Sequence, residues 1–187
     1  VGIKVNNFLK WKPFYPFGDH GASQVTERLR DSDANFIFCN YIDAHGPMQN
    51  HRYIESDAPK SYHSNQIPVE EIRDPESDVS HRDLDRYYSL YSKTIQYLDE
   101  KIATFAKGMP DDMTLIITAD HGEEMLFEGE SDLGHTGFSQ SLLHVPFVVI
   151  NSDVEHDGGI VSHLDVPEMV EQLLKSREFT VPTRTVV

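Results

Sequence analysis

Cysteine is nearly absent. Among 187 residues only Cys39 carries a thiol, so no internal disulfide can form. It sits in Asn35-Phe-Ile-Phe-Cys-Asn-Tyr-Ile42, an apolar run where a small core hydrophobe is a far commoner role than a nucleophile. Long hydrophobic runs are missing too. None approaches the roughly 18 residues of a spanning helix, so no membrane segment is expected. Positive charge is scarce: 16 Lys and Arg stand against 31 Asp and Glu, for a formal net charge of −15, and only eight residues are lysine. That argues against nucleic acid and anionic lipid as partners, because both demand a basic face. The acidity fits an ordinary solvated surface, and equally one kept hydrated at high salt. No basic-then-apolar leader opens the chain. With the single cysteine, this leads us to expect a cytoplasmic location. The opening Val-Gly-Ile-Lys-Val reads as the middle of a longer chain.

What is present suffices for one domain with a real core, at 39% hydrophobic residues. A loop with aromatic anchors (Trp11, Phe14, Tyr15, Phe17) leads into a short helix over about 21–30, with Ala22, Val25 and Leu29 on one face. Residues 35–42 read as a strand buried on both faces. Residues 43–80, with four prolines and three histidines, read as a long surface excursion. Ser80-His-Arg-Asp83 looks like a capping box opening a helix over about 81–107. Its stripe is Leu84, Tyr87, Tyr88, Tyr91, Ile95, Leu98, Ile102 and Phe105, and such tyrosines are more often core than ligand cage. Gly108 and Pro110 stop it. Met113–Ala119 and Pro146–Asn151 read as two further buried strands. Asp165-Val-Pro-Glu168 caps a last helix to about Lys175. Strands and helices in this order, with long crossovers, predict an α/β fold whose sheet is mostly parallel.

Three strand ends carry chemistry. Leu115-Ile-Ile-Thr-Ala runs straight into Asp120-His121-Gly122-Glu123. Ligands in open α/β sheets bind beyond the carboxyl ends of strands. A hard carboxylate oxygen beside an imidazole nitrogen suits Zn²⁺ or Mn²⁺ better than Ca²⁺ alone. The plain alternative is a capping Asp with a surface His. His135 follows fourteen residues on, between glycines in Leu133-Gly-His-Thr-Gly137, and is placed to donate to an anion. Tyr41-Ile-Asp-Ala-His45 ends the first expected strand in another histidine. If the strands are parallel, His45 joins Asp120 and His121 at one rim, which strengthens each single assignment.

Taken in order, these motifs resemble the sulfatase branch of the alkaline phosphatase superfamily. His45-Gly46-Pro47 matches a strand ending in His-x-Pro. Tyr91 and Leu98-Asp99 are similar to the family's helix. Asp120-His121-Gly122-Glu123 matches a strand ending in Asp-Asn-Gly or Asp-His-Gly. His135 stands eleven residues before Pro146 of a Val-Pro strand, and Leu164-Asp165-Val166-Pro167 looks like the last helix start. The resemblance implies an alkaline phosphatase-like, mostly parallel sheet flanked by helices, here partial. It implies a metal-dependent hydrolase of sulfate esters acting on a small anionic ester. Asp120 and His121 would be metal ligands, for Ca²⁺, Mn²⁺ or Zn²⁺. His45 and His135 would be the catalytic contacts to the anion's oxygens or the leaving group. The metal would act as Lewis acid, and a protonated His135 as general acid. Glu123 and Asp43 match no role, beyond indirect support from Glu123.

The departure lies at the nucleophile. The family's Cys/Ser-x-Pro-x-Arg motif is not in this sequence, and Cys39 is followed by Asn-Tyr-Ile-Asp. The N-terminal paired carboxylates are missing as well. The expectation is a single C-terminal sulfatase-like domain with half a metal site and little turnover of its own. His121, where sulfatases more often carry Asn, leans slightly toward a phosphodiester, phosphonate or phosphoglycerol substrate. A different class is a non-catalytic remnant that binds an anion or a protein. Half a sheet would leave an edge strand and apolar faces uncovered, so such a fragment is expected to form a homo-oligomer, salvage contacts some other way, or be unstable.

Overall fold

In the computed structural model the described residues are 22–34, 36–45, 81–126, 133–135, 137–155, 160–176 and 178–180. The chain divides into two units, Val1–Gly108 with Ser131–Gly134, and Met109–Glu130 with His135–Val187. The expected aromatic loop before residue 18, the Ser80 cap, and all but residues 43–45 of the 43–80 excursion lie outside the described residues.

The first unit is helical. α1 spans Ala22–Arg30 and α2 spans His81–Gly108. Both helices come from the 3.6-residue period of their apolar positions. α1 packs on α2. Ala22 and Thr26 are buried on its inner face, and Arg28 and Arg30 in its last turn favour the negative end of the helix dipole. Side-chain hydroxyls tie the two helices, Ser23 Oγ lying 3.0 Å from Tyr97 OH. On α2 the buried residues are Tyr87, Leu90, Thr94, Leu98 and Phe105. At about 3.6 residues per turn, 87, 94, 98 and 105 fall almost on one line. Thr94 sits at the centre of that line, and its hydroxyl donates to Leu90 O at 2.8 Å. The expected stripe is therefore rotated slightly: Ile95 is 40% exposed, while Tyr88, Tyr91 and Ile102 are half-buried.

The strand expected over 35–42 is not formed. Residues 36–41 have no regular structure, and Ile42–Ala44 make a 3-10 turn. Phe36 and Phe38 are exposed, at 42% and 74%, while Ile37, Cys39 and Tyr41 are half-buried. The backbone has no ladder partner among the described residues, so an apolar run that could be a buried strand stays an extended tether. Its anchor is Tyr41, whose hydroxyl meets Thr26 Oγ1 at 3.1 Å.

In the second unit, β1 (Leu115–Thr118) is followed by β2 (Glu124–Met125), while β3 (Leu133–Gly134) belongs to the first unit. Then come α3 (Gln140–Leu143), β4 (Phe147–Ile150), β5 (Asp153–Glu155), a 3-10 turn His163–Asp165, α4 (Val166–Ser176) and β6 (Glu178–Thr180). The α/β composition holds, but the mostly parallel sheet does not appear among the described residues. β1 and β4 pair antiparallel, from Leu115↔Ile150 to Thr118↔Phe147. The cause is the connection between them. Residues 119–146 leave the carboxyl end of β1 and deliver β4 back at that same end, whereas a parallel pair needs a crossover to the other end. The short β5–β6 pair is parallel. The strands are also half-buried rather than buried, and Val148 is 44% exposed. Their covered face is Phe147 and Val149, packed with Val161, Val166 and Leu173 around fully buried Met169.

Asp165 ends the 3-10 turn that runs into α4, and the cap found there belongs to that turn. Ser162 is the cap, and Asp165 Oδ2 reaches back to Ser162 N at 3.3 Å, closing a capping box. No helix among the described residues is long and apolar enough to cross a membrane.

Asn151 ties the ends of the β1–β4 ladder. Its Nδ2 reaches Asp111 O at 2.8 Å and Met113 O at 2.9 Å, and its own carbonyl accepts from Thr114 Oγ1 at 3.1 Å. It does so at φ 64°, a left-handed conformation that asparagine tolerates better than most residues. Asn151→Ala loses both bonds and strains the backbone, so it should cost about 2–3 kcal/mol. Asn151→Gly loses only the bonds and should cost about half as much. Urea denaturation of the two variants separates strain from hydrogen bonding, and equal losses would deny the strain.

Candidate functional site

The segment after β1 is held by backbone, not by side-chain packing. Gly122 N–H donates to Leu142 O at 2.9 Å. A Cβ on Gly122 would collide with the Ser141 carbonyl oxygen, far inside contact distance. Glycine is therefore required for the loop to lie against α3. That short helix is itself capped by Ser139, whose Oγ accepts from Leu142 N at 3.4 Å, and Leu142 is buried.

This staple fixes the residues on either side. Asp120 Oδ1 accepts from the His121 N–H at 3.1 Å, and the rest of its carboxylate faces solvent, with the side chain 82% exposed. His121 Nδ1 lies 2.8 Å from Gly122 O. A carbonyl can only accept, so Nδ1 carries the proton and Nε2 presents its lone pair. Asp120 Oδ2 stands 3.9 Å from that Nε2. Glu123 follows with a side chain only 8% exposed, its Oε2 lying 3.6 Å from His135 Nδ1. The His121 and His135 rings lie 4.6 Å apart, tilted by 33°. One ligand atom each from His121, Glu123 and His135 falls within 4.8 Å of the others.

Glu124 is the next residue along the chain and opens β2. It is 2% exposed, and its Oε2 has no hydrogen-bond partner among the described residues. Its carboxylate lies against Gly137, where a Cβ would stand 2.7 and 3.0 Å from the two oxygens. No Lys or Arg occurs between Lys107 and Lys175. The acidic segment therefore supplies no cationic side chain of its own. The two imidazoles and the sequestered Glu123 carboxylate make a donor set that fits a divalent cation.

The structure thus brings together His121 and His135 with Glu123, and sets Asp120 at the exposed flank of His121. His45 stands in the first unit, exposed, directly after the 3-10 turn. Asp43 in that turn is buried. Burial pushes the Cys39 thiol up, which lowers its thiolate fraction and leaves it a poor nucleophile. Glu123 is the residue that sequence reasoning passed over as a donor. Its signal was the His-x-Glu spacing, two ligand-type residues flanking a glycine.

The strand end gathers imidazoles and carboxylates into a group that could hold a metal ion, on a protein of mixed α/β composition. The family model described as Sulfatase matches residues 17–178, most of the chain, and the chain belongs to the sulfatase family. No curated protein matches it, and no solved structure does. The family is a family of hydrolases that are generally metal-dependent.

Proposed function

We propose that this chain carries part of the metal and anion site of a hydrolase of sulfate esters. Family membership over residues 17–178 supports the reaction class. The observation that carries the site is the Asp120-His121 strand end held by the Gly122 staple. Asp120 and His121 would hold a divalent ion, which would supply Lewis acidity toward the anion and toward a nucleophile. Among this chain's own groups, His135 meets the anion's oxygens or donates its proton to the departing alkoxide. His45 keeps the anion-contact role that its His-x-Pro motif gives it. The imidazole of His121, where sulfatases more often carry Asn, supports a second reading in which the anion is a phosphodiester, phosphonate or phosphoglycerol group.

Lysine and arginine are missing from the segment around the site. Anion binding there therefore leans on imidazole and metal. Calorimetric titration with sulfate should show binding only when Mn²⁺, Zn²⁺ or Ca²⁺ is present. His135→Ala should weaken that binding about tenfold, the worth of one charge-assisted hydrogen bond. Metal-independent binding, or none with any ion, overturns the reading. Aryl sulfate turnover by the chain alone should stay near the blank; robust Asp120-dependent hydrolysis would mean that the site is whole.

A further inference from the structure

The three donors His121, Glu123 and His135 differ from the two-residue pair that the strand end suggests, and their chemistry narrows the ion. We propose that they chelate one late first-row divalent ion, of the Zn²⁺ class, and discriminate against Ca²⁺. This rests on the metal-site part of the foregoing reading and not on its hydrolytic part.

The geometry is close to that of a bound set. Donors held at about 2.0–2.2 Å from one tetrahedral zinc ion stand roughly 3.3–3.6 Å apart. Glu123 Oε2 and His135 Nδ1 are already 3.6 Å apart. The widest separation among the three donors is no more than 4.8 Å. Both imidazoles are more than a third exposed, 39% for His121 and 38% for His135, so small ring rotations close the set. Glu123 is the fixed member, with its side chain 8% exposed.

The bond from His121 Nδ1 to Gly122 O leaves Nε2 as the ligand atom, the kind of outer contact that orients metal-bound histidines. Two nitrogens and one carboxylate suit a borderline ion, whereas Ca²⁺ takes six to eight oxygens. With no Lys or Arg between Lys107 and Lys175, the ion is the counter-charge that this segment lacks. Asp120 Oδ2, 3.9 Å from His121 Nε2, remains in reach as a fourth donor. In this arrangement His135 is a ligand through Nδ1, and its part in leaving-group protonation falls away.

The test is calorimetry on the whole chain, stripped with a chelator and titrated with Zn²⁺ or Ca²⁺ without any ester. One equivalent of Zn²⁺ should bind roughly 100-fold or more tightly than Ca²⁺. Glu123→Gln and His135→Gln should each weaken Zn²⁺ about tenfold or more, while Glu168→Gln on α4 serves as the control for general charge loss. Circular dichroism checks that each variant folds. Nitrogen-resolved imidazole NMR of the unaltered chain gives a readout that needs no variant: Zn²⁺ should shift His121 Nε2 and His135 Nδ1, and no other histidine pair together. Equal Zn²⁺ and Ca²⁺ affinity, Zn²⁺ binding indifferent to Glu123→Gln, or shifts at other histidines overturns the proposal. Zinc held by these residues without sulfate binding sinks the ester-hydrolase reading and leaves the chelate standing. Metal-dependent sulfate binding that survives Glu123→Gln does the reverse.

Discussion

Gly122→Ala is expected to lower stability by about 2–4 kcal/mol and to abolish ordered metal binding at the strand end. The new methyl group meets the Ser141 carbonyl oxygen, a backbone atom that cannot rotate aside. Forcing extra volume into such a contact costs about 1–3 kcal/mol. The loop must then lift from α3, which breaks the Gly122 N–H bond to Leu142 O and adds about 1 kcal/mol. The functional consequence follows from the neighbours. His121 owes its tautomer to Gly122 O, so moving that carbonyl frees the ring to turn and lets the proton change nitrogen. Glu123 is carried with the same backbone. Urea denaturation gives the stability loss, and zinc titration under native conditions gives the site effect. An alanine variant with unchanged melting and zinc affinity would show that the loop has another resting place.

How much of this was legible beforehand depends on what kind of signal each feature leaves. α1, α2 and α4 left a local one, the 3.6-residue recurrence, and their ends fall within a few residues of expectation. The rotation of the α2 stripe toward Thr94 was not legible, because a threonine that satisfies its hydroxyl on its own helix can be buried as cheaply as an aliphatic residue. The run over residues 35–42 misled because apolar composition says nothing about a pairing partner. The direction of β4 misled for a related reason. Parallel or antiparallel is decided by the end to which residues 119–146 return, and that is a property of the whole connection. Asp120 and His121 could be singled out because a buried run stopping at two ligand-type residues and a glycine is unusual. Glu123 left only the weaker signal of its His-x-Glu spacing, and one more carboxylate in an acidic segment looks like solvated surface until its 8% exposure is known.

Glu124 and Gly137 should show strong coupling in a double-mutant cycle. Glu124 is buried with one carboxylate oxygen unpartnered among the described residues, and Gly137 presents its bare Cα to that carboxylate. Gly137→Ala alone places a methyl group 2.7 and 3.0 Å from the two oxygens. The carboxylate sits at the end of a side chain that is too enclosed to swing away, so the variant should lose about 1–3 kcal/mol. Glu124→Gln alone keeps the shape and removes a charge that nothing described neutralises. It should raise stability by about 1–2 kcal/mol, because an unpaired buried charge costs more than an unpaired amide. In Glu124→Ala the obstacle is gone. Gly137→Ala in that background should be neutral, or stabilising by about 0.5 kcal/mol through reduced freedom of the unfolded chain. The expected coupling is therefore more than 1 kcal/mol, well above what independent sites show. Thermal melting in chelator measures all four corners. The sign of the Glu124→Gln corner is the informative one. A stabilised variant means that the acid is kept against the cost of its burial, as residues beside functional sites often are. A destabilised variant means that the carboxylate has found a partner in solution, and the space beside Gly137 is then where that partner must lie.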